Sequence, residues 1–345
     1  MKKTILITGG MGFIGSNFIR YFLKTHPDCL LINIDKLTYS ANPENLRDLT
    51  SDTHHRFVEG DILNEALLTR LTQEFSIEAV IHFAAESHVD RSIHGSREFI
   101  ETNVLGTHTL MEVFKKYWQT FLKSSPHFRF LHISTDEVYG TLGREGIFTE
   151  ETPFRPNSPY SASKAGADLL VRSYYETFGF PAVIIRPSNN YGPYQFPEKF
   201  IPLMITNLLQ ERPVPVYGRG ENVRDWLFVE DTCRAIDQIL EKGNPGEAFN
   251  VGGESEKRNI DLAGEVLAFL DKGTEWLQYV TDRPGHDLRY ALSNDKIKRE
   301  IGWSPKVALS EGLSRTVRWY QENADWWRPL KERLRQESQG FWSKS

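Results

Sequence analysis

The chain has 345 residues, of which 39% are hydrophobic and 25% charged, as in a globular protein and unlike a disordered one. The formal net charge of −5 argues against a broad basic surface, and so against nucleic acid as the main partner, although a local basic pocket for a phosphate is compatible with it. The length suits one large domain, or a cofactor domain with a smaller partner domain.

The N-terminal segment and the cysteines bear on location. The apolar run at residues 4–7 is too short for a signal peptide and is ended by Gly9 and Gly10. No stretch of about 20 apolar residues occurs, so we expect no membrane span. Cys29 and Cys233 show no CxxC or Cys/His metal spacing, and we expect both to be buried apolar groups in a reducing compartment. We therefore predict a cytoplasmic protein without a metal site.

The first half of the chain alternates short apolar runs with stretches of helical spacing. Strands are predicted at 4–8, 30–35, 56–59, 79–83, 129–134 and 182–186. Helices are predicted at 13–24, 65–75, 99–118 and 161–178. This alternation predicts an α/β fold of the Rossmann type, a doubly wound parallel sheet whose ligands bind at the carboxyl ends of the strands.

The pattern changes after Arg186, where prolines punctuate the chain and loops dominate. Residues 226–251 read strand–helix–strand, and we expect them to return to the main sheet. The predicted domains are therefore interleaved: a Rossmann domain at 1–186 plus about 226–252, and a smaller C-terminal domain at 187–225 plus about 253–345. Near the end, Trp319, Trp326 and Trp327 are interpreted as packing anchors of a closing helix.

A glycine motif follows the first strand and opens the first helix. Gly9, Gly12 and Gly15 are spaced three apart, as a dinucleotide turn requires for positive φ, close approach of a pyrophosphate, and packing of the helix on the strand. The helix N-terminus would present its free N–H groups to the phosphates. An ordinary strand–helix turn is the alternative, but the flanking strand and helix favour a dinucleotide site.

An acid ends the second strand. Asp35 lies 20 residues beyond Gly15, where a carboxylate bonds a ribose 2′-hydroxyl and repels a 2′-phosphate, so the sequence favours NAD over NADP. The adjacent Lys36 weakens this inference, and a turn-capping role for Asp35 is the alternative. Asp61 and Ile62, after the third strand, are candidates to flank the adenine.

Tyr160 and Lys164 are spaced i and i+4 at the start of a predicted helix, so their side chains would share one face. A neighbouring ammonium and a positive nicotinamide ring would favour the phenolate form of the tyrosine, which would then act as a general base on a hydroxyl. A helix pair without a role is the alternative.

The fifth strand ends in two adjacent acids, Asp136 and Glu137. Neighbouring side chains of an extended segment point to opposite sides, so a loop would be needed to aim both at one substrate. One could then donate a proton while the other accepts one. A capping Asp136 beside a solvated Glu137 is the alternative.

These motifs together resemble the extended short-chain dehydrogenase/reductases and, among them, the sugar-nucleotide 4,6-dehydratases. The resemblance runs from Ile5 to about Trp327 and rests on TGGxGFIGS, YxxxK and the segments at 83–92, 134–140, 188–199, 222–226 and 282–287. Epimerases of the same group usually carry a serine-rich segment where this chain has residues 135–137. The acid pair is therefore the most discriminating feature.

The resemblance implies a reaction and a role for each residue. Tyr160 would take the C4 hydroxyl proton of dTDP-glucose while hydride passes to NAD, and Lys164 would tune Tyr160 and hold the ribose. Glu137 would remove the C5 proton, and a protonated Asp136 would release the C6 hydroxyl as water. Hydride would return to C6, giving the 4-dehydro-6-deoxy sugar. Thr135 would bond the C4 oxygen.

The resemblance also implies two sets of binding residues. The expected cofactor contacts are Gly9, Gly12, Phe13, Ile14, Gly15, Asp35, Lys36, Leu37, Thr38, Asp61, Ile62, Phe83, Ala84, Ala85, Glu86, Thr102, Tyr160, Lys164 and Asn190. The expected substrate contacts are Ser87, Thr135, Asn189, Lys199, Phe200, Pro215, Val216, Tyr217, Arg224, Asn259 and His286.

Other functions and the assembly stay open at this point. A 4,6-dehydratase or a C4 epimerase acting on another sugar nucleotide would keep Tyr160 and Lys164, but an epimerase would not need the acid pair. A non-catalytic NAD-sensing regulator could lose the Tyr–Lys pair, which this chain retains. The resemblance implies a homodimer, with a four-helix contact formed by the helices near 100–118 and 161–178.

Overall fold

The computed structural model describes residues 3–122 and 127–342, so residues 1, 2, 123–126 and 343–345 of the predicted domains lie outside the described residues. Its strands are β1 (Thr4–Thr8), β2 (Leu30–Asp35), β3 (His55–Glu59), β4 (Ile77–His82), β5 (Arg129–Ile133), β6 (Ala182–Pro187), β7 (Asn189–Tyr191), β8 (Val214–Tyr217), β9 (Val223–Phe228), β10 (Ala248–Val251), β11 (Glu256–Arg258) and β12 (Leu277–Val280). Its helices are α1 (Phe13–Thr25), α2 (Glu65–Glu74), α3 (Val89–His94), α4 (Arg97–Phe99), α5 (Thr107–Tyr117), α6 (Pro159–Phe178), α7 (Phe200–Leu208), α8 (Val229–Lys242), α9 (Asn259–Phe269), α10 (Asp295–Glu300), α11 (Leu309–Glu322) and α12 (Ala324–Trp342).

The main sheet has seven parallel strands in the order β10-β6-β5-β4-β1-β2-β3. The chain winds outward from β1 in one direction and then, beginning at β4, in the other. The crevice between the carboxyl ends of β1 and β4 is thus the topological switch point, where ligands bind in such sheets. The predicted Rossmann-type fold is confirmed.

The core of the main sheet follows the two-residue period of its strands. Ile5 and Ile7 of β1 pack with Phe18 of α1 on one face, whereas Leu6 packs with Leu110 of α5 on the other. All five residues of β1 are buried because helices cover both faces, which explains its unbroken apolar run.

The helix predicted at 99–118 is a longer and less regular helical run. A π-helical stretch at Ile100–Gly106 joins α4 to α5, and a second one, Trp118–Leu122, follows α5. The wider turn buries Thr102 and Asn103, which face the carboxyl ends of the strands. Local widening of this kind is frequent at functional sites.

The smaller region has two short sheets, β11-β9-β7 and β12-β8, packed with α7, α9, α11 and α12. Its core includes Trp226, Tyr320 and Trp327, of which Trp327 is 1% exposed. Trp319 packs against Trp326 with ring centroids 5.0 Å apart. These tryptophans are packing anchors of the closing helices, as predicted.

The two regions are interleaved in a way that differs from the predicted boundaries at two places. The strand predicted at 226 joins β7 and β11 of a small sheet, and only α8 and β10 return to the main sheet. Moreover, Ile297, Ile301 and Trp303 belong to the core under the main sheet, although 253–345 was assigned to the smaller domain. The reason is that α10 covers the edge strand β10.

Two expectations about residue environments can be compared with the fold. Cys29 and Cys233 are both buried and form no disulfide within the described chain. Across residues 3–122 and 127–342, every helix is either too short or too polar to cross a bilayer.

Candidate active site

The turn between β1 and α1 forms the floor of a cleft at the switch point. Gly9 has a φ of +74°, and a Cβ at this position would lie 2.6 Å from the amide nitrogen of Ala84. At Gly15 a Cβ would lie 2.5 Å from the carbonyl oxygen of Gly9. Any side chain at either glycine would therefore push the turn away from the loop after β4 or from the helix, as a dinucleotide turn predicts.

The position of Asp35 is compatible with both of the interpretations that the sequence left open. Its carboxylate accepts hydrogen bonds from the backbone N–H groups of Met11 and Leu37, each at 2.9 Å, and so caps the turn after β2. It also lines the cleft, where a ribose hydroxyl could reach it. Burial raises the pKa of Asp35, and the two amides oppose that shift. The charge of Lys36 is paired with Asp61 at 3.3 Å.

The cleft collects most of the residues expected to bind the cofactor, together with two expected to bind substrate. Of those expected, its walls contain Gly9, Gly12, Phe13, Ile14, Gly15, Asp35, Lys36, Thr38, Asp61, Ile62, Phe83, Ala84, Ala85, Glu86, Ser87, Thr102, Tyr160, Lys164 and Lys199. Leu37 instead packs on the core. Asn190 is turned away, because its amide bonds Ser188 and the hydroxyl of Thr232.

The mouth of the cleft is bridged between the two regions. The Tyr39 hydroxyl donates to Glu198 at 2.9 Å, and the Arg91 guanidinium lies 3.5 Å from the centre of the Tyr39 ring. Nearby, the Lys199 ammonium donates to the carbonyl of Ser87 at 3.0 Å. The loop after β2 and the segment before α7 therefore meet over the cleft.

Tyr160 and Lys164 lie in the first turns of α6, on its inward face. Ser158 caps this helix in a capping box with Ser161, which fixes where the helix begins. The two side chains are almost wholly buried, and the Lys164 ammonium donates to the carbonyl of Ile133 at 2.7 Å. Burial lowers the pKa of Lys164 to about 8.

The surroundings that the protein itself provides oppose ionisation of Tyr160. Burial, followed by the charge of Glu137, raises the pKa of Tyr160. A hydrogen bond with Thr135 opposes this rise. The phenolate expected for Tyr160 therefore depends on the positive charge of a bound nicotinamide ring in addition to that of the Lys164 ammonium.

The acid pair lies on a single 3₁₀ turn, Asp136–Tyr139, directly after β5. Thr135 caps this turn by accepting the N–H of Glu137 at 3.3 Å, so Asp136 is not the cap. The Thr135 hydroxyl also donates to Asp136 Oδ1 at 3.2 Å. Asp136 is 1% exposed, and its Oδ2 makes no hydrogen bond to any described residue. The turn brings both acids into one group of charged residues, here called the chamber, which also includes Lys199, Arg224, Asp225, Arg283 and Asp287.

The two acids face different charges. Burial, and then the carboxylates of Glu137 and Asp225, raise the pKa of Asp136 well above its usual range. Burial also raises the pKa of Glu137, but there the positive charges of Arg283 and Arg224 oppose it. The surroundings therefore favour protonation of Asp136 more than of Glu137, because Arg224 opposes the rise at both acids and Arg283 adds a stronger opposing charge at Glu137.

Arg224, one of the residues expected to bind substrate, belongs to this chamber. Two others retain a hydrogen-bond acceptor without a partner within the described chain. Arg224 is 5% exposed and donates to the carbonyl of Asp287 at 2.9 Å, with its guanidinium 4.3 Å from the centre of the Tyr290 ring. The amide oxygens of Asn189 and Asn259 are buried and have no hydrogen-bond partner among the described residues. Buried acceptors of this kind usually have a partner, so both oxygens are candidates to bond a ligand.

The remaining expected contacts lie at the outer edge. The ring of exposed Tyr217 packs edge-on to His286, with centroids 5.9 Å apart, while its hydroxyl donates to Asp90. Phe200 stacks on Trp226 inside the smaller core. Pro215 and Val216 precede Tyr217 on β8, and the Val216 side chain is in that core, so it offers a ligand only its backbone.

Several residues around the site were not predicted. Arg283 bonds Asp90 at 3.1 Å and faces Glu137; its only sequence signal was its place in the segment at 282–287. Asn103 bonds both the backbone of Glu86 and the hydroxyl of Ser163, which ties the loop after β4 to α6. Nothing in the sequence pointed to Asn103. The cleft walls that were not predicted are Ile34, Ser40, Ala41, Gly60, Ile133, Ser134, Gln195 and Phe196.

Comparison with known proteins gives one consistent result. The family model described as GDP-mannose 4,6 dehydratase matches residues 6–316. A dTDP-glucose 4,6-dehydratase of Xanthomonas campestris pv. campestris (strain B100) is 51% identical over 94% of both chains. Two structures of dTDP-glucose 4,6-dehydratases, each with NAD and each 47% identical, superpose with TM-scores of 0.89 (Streptomyces venezuelae) and 0.88 (Bacillus anthracis) over 95% of this chain and 99% of theirs. The chain therefore belongs to the dTDP-glucose 4,6-dehydratases, within that wider dehydratase family.

Proposed function

We propose that this chain converts dTDP-glucose to dTDP-4-dehydro-6-deoxy-glucose and water with NAD as a resident cofactor. The observation that carries the proposal is the division of charge on the Asp136–Tyr139 turn. Burial and the carboxylates of Glu137 and Asp225 raise the pKa of Asp136 against the charge of Arg224, whereas at Glu137 both Arg283 and Arg224 oppose the rise. A pair of carboxyl groups whose environments separate their pKa values provides one acid and one base for an elimination.

The described residues fit a dinucleotide. The turn at Gly9 and Gly12 and the N-terminus of α1 suit a pyrophosphate, and Asp35 suits a ribose hydroxyl. Tyr160 and Lys164 line the same cleft beyond them. When bound, NAD would accept a hydride from C4 of the sugar and return it to C6 within one turnover.

The first proton transfer falls to Tyr160. With NAD bound, its phenolate form would take the C4 hydroxyl proton as the C4 hydrogen leaves as hydride, which produces a C4 ketone. The Lys164 ammonium, fixed on the carbonyl of Ile133, adds positive charge beside that phenolate. Thr135 lies on the same strand end and can donate a hydrogen bond to the C4 oxygen.

The elimination falls to the acid pair. The ketone makes the C5 proton acidic, and Glu137 takes it. Asp136 gives its proton to the C6 hydroxyl, which leaves as water. After hydride reaches C6, Glu137 returns its proton to C5. One proton then remains on Tyr160 and one is missing from Asp136, and exchange with solvent restores both.

The substrate contacts follow from charge and placement. Lys199 and Arg224 suit the diphosphate, because both face the chamber and carry positive charge. Ser87 lines the cleft, and its carbonyl accepts a hydrogen bond from Lys199. We assign the sugar and nucleoside contacts to Asn189, Phe200, Pro215, Val216, Tyr217, Asn259 and His286.

A C4 epimerase or a dehydratase acting on another nucleotide is the second candidate. Purified protein is incubated with dTDP-glucose and, in parallel, with UDP-glucose, and the products are weighed by mass spectrometry. Loss of one water from dTDP-glucose alone supports the proposal. A galactose-configured product of unchanged mass contradicts it and leaves Asp136 and Glu137 without a role.

We further propose a homodimer in the cytoplasm. Ile100 and Leu105, next to α5, and Leu169 and Phe178 of α6 are exposed apolar residues on the two helices expected to form a four-helix contact. Leu169 is 57% exposed, and exposed apolar residues on paired helices are typical of an interface. Sedimentation analysis should give a dimer for the native chain and a monomer for Leu169→Lys with Leu105→Lys.

A further inference from the structure

A buried carboxylate lies one helical turn beyond Lys164. Asp168 is on the same face of α6, four residues on, and its side chain is completely buried. It accepts a hydrogen bond from Arg186 of β6 at 2.8 Å, and its other oxygen lies 3.4 Å from the ring of His132 on β5. Neither the motifs nor the reaction proposed above gives this residue a task.

The partner of Asp168 reaches the acid pair. A second nitrogen of Arg186 donates to the hydroxyl of Tyr139 at 2.7 Å. Tyr139 is the last residue of the turn that carries Asp136 and Glu137, and its hydroxyl donates to Asn250 at 2.8 Å. A continuous set of buried contacts thus connects α6, behind the Tyr–Lys pair, with the turn after β5.

The charges around Lys164 show why the carboxylate matters. On α6, the charge of Asp168 acts on Lys164, and Tyr160 precedes Lys164 by one turn. The rings of His82 on β4 and His132 on β5 also interact with it. Arg186 of β6 pairs with Asp168. Across the cleft, the lining includes Asp35, Glu86 and Lys199. Burial, and then nearby positive charge, lower the pKa of His132 to about 4, so this ring is neutral. Although burial alone would raise it, Arg186 and His132 hold the pKa of Asp168 at about 2, so Asp168 is ionised.

We propose that Asp168 is a positioning residue of the reaction, which keeps the Lys164 ammonium charged beside Tyr160. Through Arg186 it also fixes the position of the Asp136–Tyr139 turn. One buried anion then supports both the oxidation and the elimination. The proposal deepens the function proposed above, because it rests on the roles given there to Tyr160 and Lys164.

The ionisation of Lys164 gives a test that needs neither cofactor nor substrate. Burial lowers its pKa to about 8 while Asp168 opposes that shift, so loss of the carboxylate should lower it further. The cofactor-free chain is reductively methylated with formaldehyde over a range of pH, and the modified fraction of Lys164 is measured by mass spectrometry. In Asp168→Asn, the pH at which half of Lys164 is methylated (the midpoint) should fall by about one to three units, as expected when a neighbouring opposite charge is removed. In Asp168→Glu it should stay near that of the native chain.

Two further variants separate the charge from the scaffold. Tyr139→Phe breaks the contact with Arg186 but keeps the carboxylate, so its midpoint should be unchanged. Asp168→Asn could leave Arg186 unpaired and fail to fold. Asp168→Asn with Arg186→Gln removes both charges of the ion pair, and the midpoint should fall in this double variant too. An unchanged midpoint in both Asp168→Asn variants would overturn the proposal.

The pH profile of turnover gives the second reading. The alkaline limb of kcat should move to lower pH in Asp168→Asn by a similar amount and return in Asp168→Glu, because turnover needs the ammonium form. If kcat falls equally at every pH and the alkaline limb stays at the pH of the native chain, Asp168 has a purely structural role. A native chain that does not dehydrate dTDP-glucose would refute the proposed function, while the methylation result would still decide whether Asp168 sets the charge of Lys164.

Discussion

The site has two ends, the cofactor cleft and the acid-pair turn that follows the cleft wall at Ile133 and Ser134. Different kinds of contact form each end. At the cofactor end, the β1–α1 turn is shaped by glycines whose backbone touches the loop after β4, and Asp35 is held by two nearby amides. At the acid-pair end, Asp136 and Glu137 are surrounded by charges from distant parts of the chain, including Arg224 and Arg283.

The two ends should therefore be sensitive to different kinds of substitution. Backbone fit at the cofactor end depends on volume, so an added methyl group should harm it. Function at the acid-pair end depends on protonation, so a change of charge without a change of shape should harm it. Substitutions that change only volume or only charge therefore test the two ends separately.

The largest effect should come from removing both acids without changing their shape. In Asp136→Asn with Glu137→Gln, we expect water loss to slow by about a hundredfold to ten-thousandfold, since proton transfer at both C5 and C6 is lost. NAD affinity should not change. Rapid-quench mass spectrometry measures elimination, and Glu151→Gln, at an exposed acid, is the matched control. Native-like turnover in the double variant would contradict the acid–base assignment.

Tyr160→Phe tests the boundary between the two ends. The first hydride transfer should slow by about a hundredfold, because no group then takes the C4 hydroxyl proton. NADH absorbance in a single turnover reports this step directly. Slowing confined to elimination would mean that another residue is the base for the oxidation.

Gly9→Ala tests backbone fit at the cofactor end. The added Cβ meets the backbone of Ala84, and a φ of +74° is strained for alanine, so the free energy of unfolding should fall by more than about 1 kcal/mol. NAD affinity should fall as well. Gly143→Ala is the control, since a Cβ there has open space. Thermal unfolding and NAD titration measure both effects, and equal behaviour of the two variants would remove the glycine argument.

Asp35→Asn tests the one charge that matters at the cofactor end. Loss of a charge-assisted hydrogen bond to a ribose hydroxyl should weaken NAD binding roughly tenfold, and it should reduce the preference for NAD over NADP. Titration with each cofactor measures this. A preserved preference would mean that the carboxylate acts only as the cap for Leu37 and Met11.

The smallest effect should be on stability. The pKa of Asp136 is raised from 3.8 in the folded chain, so the folded state binds this proton more tightly than the unfolded state does. This contribution is complete below pH 3.8 and is lost as the pH rises towards the folded pKa. The Asp136→Asn variant lacks this titration. Its free energy of unfolding in denaturant, relative to that of the native chain, should therefore increase with pH. A difference in free energy of unfolding that stays constant with pH would mean that Asp136 is ionised in the folded chain.

The sequence predicted the two ends unequally, for a physical reason. Gly9, Gly15 and Asp35 belong to a motif with fixed spacing, so their pattern is visible in one chain even though Gly9 packs on the distant Ala84. Arg283 and Asn103 act through contacts with Asp90 and Ser163, far away in sequence, and such contacts appear only once the chain has folded. The same reason explains β9: an apolar strand pattern does not say which sheet edge it will join.

The interleaving of the two regions has a consequence for cooperativity. The chain leaves the main sheet after β6, returns with α8 and β10, leaves again at β11 and returns with α10. Neither core is complete without segments that lie beyond the other in sequence. Both should therefore melt in one transition, so that damage at either end of the cleft is measured on a common scale of unfolding free energy.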